Sequence, residues 1–376
     1  MYSFEIKTKI KFGEGSLEIL NTIEDKKILI ITDPFMITSK AVDKITEKLN
    51  NASYEIFSDI VPDPPIETIV QGIEVLKKFN PDVIIALGGG SAIDASKAIM
   101  DFSKKILDIK KIEFIAIPTT SGTGSEVTSF SVITDKQKGI KYPLVSEELL
   151  PDMAILDPDL VKTVPSKITA DTGMDVLTHA IEAYVSTDAS DFSDALAEKA
   201  IKLVFKYLLR AYKDGNDMEA REKIHNASCL AGMAFNQASL GINHSIAHVL
   251  GGKYHIPHGR TNALLLPHII EYNASLSSYN NSNYTLAARK YAQIAELIGI
   301  SNANTKIAVR NLISRIKKLQ KELDIPTNLS QCNISSDVIN KDKEEIAVLA
   351  IKDACTKTNP RIPTTDDIVT ILDKLK

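Results

Sequence analysis

The chain of 376 residues has no tryptophan and only three cysteines, Cys229, Cys332 and Cys355. The thiols are scattered and none forms a C-x-x-C pair, which argues against a disulfide scaffold. They read as core or incidental residues, reduced in a cytoplasm. Basic blocks are missing too. Lys and Arg number 44 against 48 Asp and Glu, a formal net charge of −4, so nucleic acid is not an expected partner. No apolar run reaches the length of a membrane span. The N-terminal stretch Met1-Tyr-Ser-Phe-Glu-Ile-Lys lacks a signal-peptide core. Internal repeats, low-complexity tracts and the dinucleotide fingerprint G-x-G-x-x-G are all absent. What remains is a composition of 44% hydrophobic and 24% charged residues. That is ordinary for a soluble globular chain long enough for two domains.

Up to about Pro158, short apolar runs alternate with amphipathic segments. Lys27 to Thr32, Tyr54 to Phe57, Asp82 to Leu87 and Glu113 to Ile117 read as strands. Ser39 to Leu49, Ile66 to Phe79 and Ala92 to Phe102 read as helices. Continuous apolar strands separated by helices predict a parallel, doubly wound, Rossmann-like α/β sheet. Ligands of such sheets bind at the carboxyl ends of the strands. Three features fall there. Gly88-Gly-Gly-Ser91 joins a strand to a helix, where glycines let phosphate approach the backbone and a helix N-terminus offers N–H groups. Asp33 ends the first strand, where a carboxylate can accept hydrogen bonds from an adenosine ribose and repel a 2′-phosphate. From Asp33-Pro34 alone, a plain turn is the commoner reading. Pro118-Thr-Thr-Ser-Gly-Thr-Gly-Ser-Glu-Val-Thr128 is rich in hydroxyls directly after a strand, a loop that can bind phosphate or ribose or merely turn.

Beyond Pro165, strand signals nearly vanish after Met153 to Leu156. Helical patterns run over 168–186, 191–212, 217–238, 242–251, 262–276, 285–298, 304–323 and 342–355, with Ser166 as a candidate N-cap and Ser277 to Tyr284 as a loop. The expected division is an α/β dinucleotide-binding domain, 1–165, and an all-helical metal-binding domain, 166–376. The helical half holds most metal-grade donors. Asp175 and His179 stand four residues apart, as do His244 and His248, and His255 and His258 follow at once. Residues i and i+4 share a helix face, so such a pair can grip one ion. A carboxylate with imidazoles suits Fe²⁺ or Zn²⁺ better than Ca²⁺ or Mg²⁺. Spacing alone does not choose between His248 and His258 as partner of His244. A cleft between the two domains is where nucleotide and metal would be expected to meet.

Five blocks in order carry a family resemblance. They are Gly88-Gly-Gly-Ser-Ala-Ile-Asp94-Ala-Ser-Lys97, Pro118 to Glu126, Gly173-Met-Asp-Val-Leu-Thr-His-Ala-Ile-Glu182, His244-Ser-Ile-Ala-His-Val-Leu-Gly-Gly252 and Pro257-His-Gly-Arg-Thr-Asn-Ala-Leu-Leu-Leu-Pro267. The chain resembles the iron-dependent, group III alcohol dehydrogenases over about residues 1–355. The resemblance implies the iron-containing alcohol dehydrogenase or dehydroquinate synthase-like fold, with Asp175, His179, His244 and His258 as metal ligands. It leaves His248 as a non-ligand near the nicotinamide and His255 as a pocket residue, either of them a candidate proton relay. For NAD(H) it implies Asp33, Gly89, Gly90, Ser91, Asp94, Thr119, Thr120, Thr128, Phe130, Lys141 and Leu160. Phe130 and Phe235 match pocket-lining positions, which suggests a narrow apolar site.

The implied activity is a cytoplasmic alcohol dehydrogenase or aldehyde reductase, a homodimer or higher homo-oligomer. It would use Fe²⁺ or Zn²⁺ and NAD(H) on ethanol, 1-propanol, butanol or a diol. A divalent ion would serve as Lewis acid while the nicotinamide carries the hydride. Two rival readings are a non-redox metal and NAD lyase of the dehydroquinate synthase type, and a non-catalytic component of an assembly.

Overall fold

The computed structural model describes residues 3–107, 111–136, 140–276, 284–301 and 303–376. The chain divides into two compact units, Met1–Thr163 and Val164–Lys376.

The first unit is built on a six-stranded parallel sheet. Its strands are β1 (Lys9–Phe12), β2 (Lys27–Ile31), β3 (Ser53–Phe57), β4 (Val83–Gly88), β5 (Glu113–Pro118) and β8 (Met153–Leu156), in the order β1-β8-β5-β4-β2-β3. A separate antiparallel hairpin joins β6 (Phe130–Asp135) to β7 (Ile140–Val145). The apolar runs are continuous because both sheet faces are covered. Leu29, Ile31, Ile84, Ala86 and Phe114 pack with Ile69 and Leu76 of α3 (Ile66–Phe79) and Ile93 and Ile99 of α4 (Gly90–Ile106). The alternate residues Ile28, Ile30, Val83, Ile85 and Ile115 face Leu20, Met36, Val42 and Ile45 on the other side. The helix expected over Ser39 to Leu49 is the shorter α2 (Ala41–Thr46), preceded by a short helix that was not expected, α1 (Pro34–Thr38). The two are separated by Lys40 in the left-handed region at φ 61°.

The second unit is helical, with α5 (Ser166–Val185), α6 (Asp191–Lys213), α7 (Met218–Ala238), α8 (Ile242–Tyr254), α9 (His258–Ala274), α10 (Leu286–Leu297), α11 (Thr305–Glu322), α12 (Ser336–Lys352) and α13 (Thr365–Asp373). From Thr169 to Val185 nearly every α5 residue is buried, so α5 is the central helix. Ser166 is its first residue and not its N-cap. Pro165 holds that position with no side-chain cap. The helix expected at 342–355 starts a turn and a half earlier, capped by Ser335. α13 was not expected at all. The loop expected over Ser277 to Tyr284 lies outside the described residues except for Tyr284. Among the described residues no helix is long and apolar enough to cross a membrane.

Candidate active site

Within the helical unit, one residue cluster has the composition of a metal site. Asp175 and His179 lie one turn apart on α5, His244 is in the first turn of α8, and His258 is the first residue of α9. One donor atom from each lies within 4.8 Å of the others. Asp175 Oδ1 is 3.8 Å from His244 Nε2 and 3.7 Å from His258 Nε2. The first three side chains are buried, while His258 is 41% exposed and leaves the cluster one open side. Burial raises the Asp175 carboxyl, and the neighbouring His179 and the Asn262 amide pull it back. Burial, then the positive charge potential of the adjacent imidazoles, holds His244 well below its usual value, so it is neutral.

The surrounding side chains are just as ordered. Asn262, one turn beyond His258, points its Nδ2 at Asp175 Oδ1 (2.7 Å), His244 Nε2 (3.1 Å) and His258 Nε2 (3.1 Å). Its Oδ1 accepts from Asn243 Nδ2 at 2.8 Å, which fixes the orientation of the amide. Two N–H donors cannot fully serve three acceptors. The cluster is therefore rich in lone pairs and short of positive charge. The Phe235 ring stacks on His179 with centroids 4.6 Å apart. His248 is outside the quartet and beside it, stacked on His258 at 5.4 Å. Its Nδ1 meets Asp353 Oδ2 at 2.9 Å. Burial would raise Asp353, but that bond and the Cys355 N–H outweigh it and bring the carboxyl to about 2. His255 is exposed at the C-terminal end of α8 with φ 55° and does not join the cluster. Glu182, on the same face of α5 as Asp175 and His179, contacts His244 Nδ1. The sequence reading assigned Glu182 no role, although its i+3 spacing from His179 was visible.

The first unit gathers most of the expected nucleotide residues around one turn. Gly88 ends β4, Gly89 precedes α4, and Gly90 and Ser91 open that helix. A β-carbon on Gly89 would stand 3.2 Å from Thr120 Oγ1, and one on Gly90 2.8 Å from Thr123 Cγ2. The glycines thus keep backbone bare where the loop after β5 comes closest. Thr119 N–H donates to Gly88 O at 3.0 Å. Asp94 accepts from Ser125 Oγ (2.6 Å) and from the Val132 N–H (3.0 Å). Lys97 is fully buried, with its Nζ 3.0 Å from Ser125 Oγ and 2.7 Å from the carbonyls of Thr128 and Phe130. Burial lowers it to about 8, and burial raises the adjacent Glu126 to about 7. Lys97 therefore stitches together a loop on which Thr128 and Phe130 were expected to meet the cofactor. Asp33 caps α1, its Oδ1 accepting from the N–H groups of Phe35 (2.9 Å) and Met36 (3.2 Å). Leu160 is buried in the core beside Ile28 and Met36. The side chain of Lys141 lies outside the described residues.

The quartet fits a divalent ion. Bonds of about 2.1 Å in tetrahedral geometry want donors roughly 3.4 Å apart, slightly closer than the spacings above. One anionic and three neutral donors suit a borderline cation.

Comparison with known proteins agrees with both halves of the chain. Residues 7–158 match the family model described as iron-containing alcohol dehydrogenase, and residues 169–375 match that of the C-terminal region of the Fe-containing alcohol dehydrogenase family. The chain is 48% identical over 378 residues to the 1-propanol dehydrogenase PduQ of Citrobacter freundii, covering 100% of both chains. It is 42% identical to the NADPH-dependent butanol dehydrogenase of Clostridium saccharobutylicum, covering 99% of this chain and 97% of that one. Among solved structures, a 1,3-propanediol oxidoreductase superposes with a TM-score of 0.91 at 34% identity, covering 100% of each chain. Matched along both units and nearly half identical to a full-length relative, the chain belongs to the iron-containing alcohol dehydrogenase family.

Proposed function

We propose that the chain interconverts a short-chain primary alcohol and its aldehyde, using NAD(H) and a divalent ion held by Asp175, His179, His244 and His258. The observation that carries this reading is the convergence of those four donors within 4.8 Å. Fe²⁺ is the ion assigned, with Zn²⁺ as the competitor the same donors accept. When bound, the ion supplies Lewis acidity toward the alcohol or carbonyl oxygen.

When bound, NAD⁺ would supply the acceptor for the hydride, with its electron pair, that the carbinol carbon loses in the oxidation. The hydroxyl proton leaves to a base, and aldehyde, NADH and a proton result. His258 forms the open side of the cluster, so substrate approaches there. His248 stacks on His258, and its Nδ1 is tied to Asp353, so its Nε2 is the atom left to accept the proton. His255, exposed at the end of α8, is the second relay candidate toward solvent. Phe235 against His179 gives the pocket an apolar wall, which favours ethanol, 1-propanol, butanol or a small diol. Phe130 is a second expected wall.

The nucleotide is assigned to the sheet unit, at Gly89, Gly90 and Ser91, with Asp94, Thr119, Thr120, Thr128, Phe130, Lys141 and Leu160 around it. Asp33 contributes a carboxylate at a strand end, which supports NAD(H) over NADP(H). The enzyme is further proposed to be cytoplasmic and a homodimer or higher homo-oligomer.

The test is a panel of C2 to C4 alcohols and diols with Fe²⁺-loaded and Zn²⁺-loaded protein, followed by NADH formation. Net NADH with at least one short alcohol is expected. Transient cofactor reduction with no net NADH would favour the lyase reading. Absence of any alcohol-dependent turnover in metal-replete protein would favour the assembly component.

A further inference from the structure

The residues around His244 are arranged to fix more than its position. Glu182 lies one turn beyond His179 on α5, and its Oε2 is against His244 Nδ1. Its Oε1 accepts from the backbone N–H of Asn243 at 2.8 Å. α8 has no side-chain cap of its own, because Gly241 stands at its N-cap. A β-carbon on Gly241 would be 2.7 Å from Glu182 Oε1 and 2.8 Å from Asn359 Oδ1, so the bare residue makes room for both groups. Asn359 Oδ1 accepts from the Ile242 N–H at 3.2 Å. The first turn of α8 is thus capped by side chains borrowed from elsewhere in the fold. Glu182 is 3% exposed and has no solvent to exchange these bonds with.

The geometry points to Glu182 as a positioning residue that caps α8 and holds His244 in the tautomer protonated on Nδ1, so that the Nε2 lone pair faces Asp175 and His258. This deepens the metal reading above and rests on it. The physical reason lies in counting acceptors. The Asn243 N–H is fixed by the helix and must be accepted, which uses one carboxylate oxygen. A cation at the quartet favours the ionised form of Glu182, whose other oxygen can only accept, and His244 then carries its proton on Nδ1. One stripe of α5 therefore supplies two ligands, Asp175 and His179, and the restraint on a third.

The consequence is specific to the amide. In Glu182→Gln the single acceptor is claimed by Asn243, and the –NH₂ group faces His244 Nδ1. That favours the opposite tautomer, with the proton on Nε2, where it blocks ligation. Glu182→Asp keeps two acceptors on a shorter arm. The affinity of the purified full-length variants for Zn²⁺ and for Fe²⁺ is measured by competition with a chromogenic chelator, on protein shown to be folded. The absorption of the Co²⁺-loaded forms reports the ligand field. Glu182→Gln is expected to bind 10- to 100-fold more weakly and to shift the Co²⁺ spectrum, a size typical of lost carboxylate–histidine support. Glu182→Asp should recover part of that loss. Wild-type affinity in Glu182→Gln, or equal losses in Gln and Asp variants, would overturn the assignment. His244→Ala separates the two levels. If it loses the metal while Glu182→Gln keeps it, only the role of Glu182 fails. If His244→Ala also keeps it, the ligand quartet fails first.

Discussion

Gly259 lies so close to α5 that a β-carbon on it would stand 2.2 Å from the Asp171 carbonyl oxygen and 3.1 Å from Asp175 Cβ. The next residue, Arg260, grips the Asp171 carboxylate with two bonds, Nε to Oδ1 at 3.1 Å and Nη2 to Oδ2 at 2.6 Å. Together they set His258 beside Asp175. Gly259→Ala should push α9 away, lower stability by about 1–3 kcal/mol as overpacking does, and weaken metal binding more than the stability loss alone would. Urea unfolding and metal titration on the same preparation check this. A variant of wild-type metal affinity would show that the close approach is not what places His258.

His248→Ala should keep a full complement of metal and lose rate, because the ring borders the quartet without belonging to it. His258→Ala should lose the metal, since no spare donor replaces it. Elemental analysis beside initial rates distinguishes the two. The reverse pattern would exchange the assigned roles of His248 and His258.

Asp33→Gly should narrow the preference for NADH over NADPH, by removing the carboxylate that repels a 2′-phosphate. The same change removes the side-chain cap of α1 at a cost of a few tenths of a kcal/mol, so the readout is the ratio of kcat/KM values and not either value alone. A wild type that uses both cofactors equally would refute the placement, and the NADPH-dependent butanol dehydrogenase among the relatives makes the measurement a real contest.

His225 gives a pH dependence with a definite sign. Burial at 1% exposure lowers it from 6.5 to about 4. Between those values the unfolded chain binds a proton that the folded chain does not. Its contribution is fully present above pH 6.5 and is lost as pH falls toward 4, up to about 3 kcal/mol. Urea unfolding over pH 4 to 7 should show the slope, and His225→Gln should flatten it. An unchanged slope would assign acid sensitivity to other groups.

Lys97→Met should destabilise the sheet unit by about 3–5 kcal/mol, because it leaves a cage of buried acceptors and the Asp94 carboxylate without their cation. NADH affinity should fall with it if Thr128 and Phe130 meet the cofactor. Equal NADH binding in a folded variant would remove that loop from the nucleotide site.

Much of this was legible in the residues, and the exceptions share a physical cause. The buried strands β2, β4 and β5 and the helices α3, α5 and α6 are long or apolar enough to announce their period. β1, Lys9-Ile-Lys-Phe12, is an edge strand whose partner β8 lies far along the chain, so nothing local marks it. The β6–β7 hairpin lies in a stretch to which the sequence pattern assigned no element. α13 has only Ile368, Ile371 and Leu372 to bury, and two acidic residues open it. The donors of the metal cluster were visible, but the choice of His258 over His248 came from family resemblance, because spacing along a chain does not reveal how α8 meets α9. Glu182 was passed over because a carboxylate inside a helix looks like a surface residue until its partner on another helix is known.

The donors are also ordered in time. The sheet unit is synthesised before Asp175 emerges from the ribosome, and His258 follows roughly eighty residues later, about 4–16 s at ordinary elongation rates. Until His244 emerges, a nascent chain offers only Asp175 and His179, two donors with a weak grip. If the four donors hold an ion as proposed, its capture waits until His258 has emerged, when the first unit has already had time to fold.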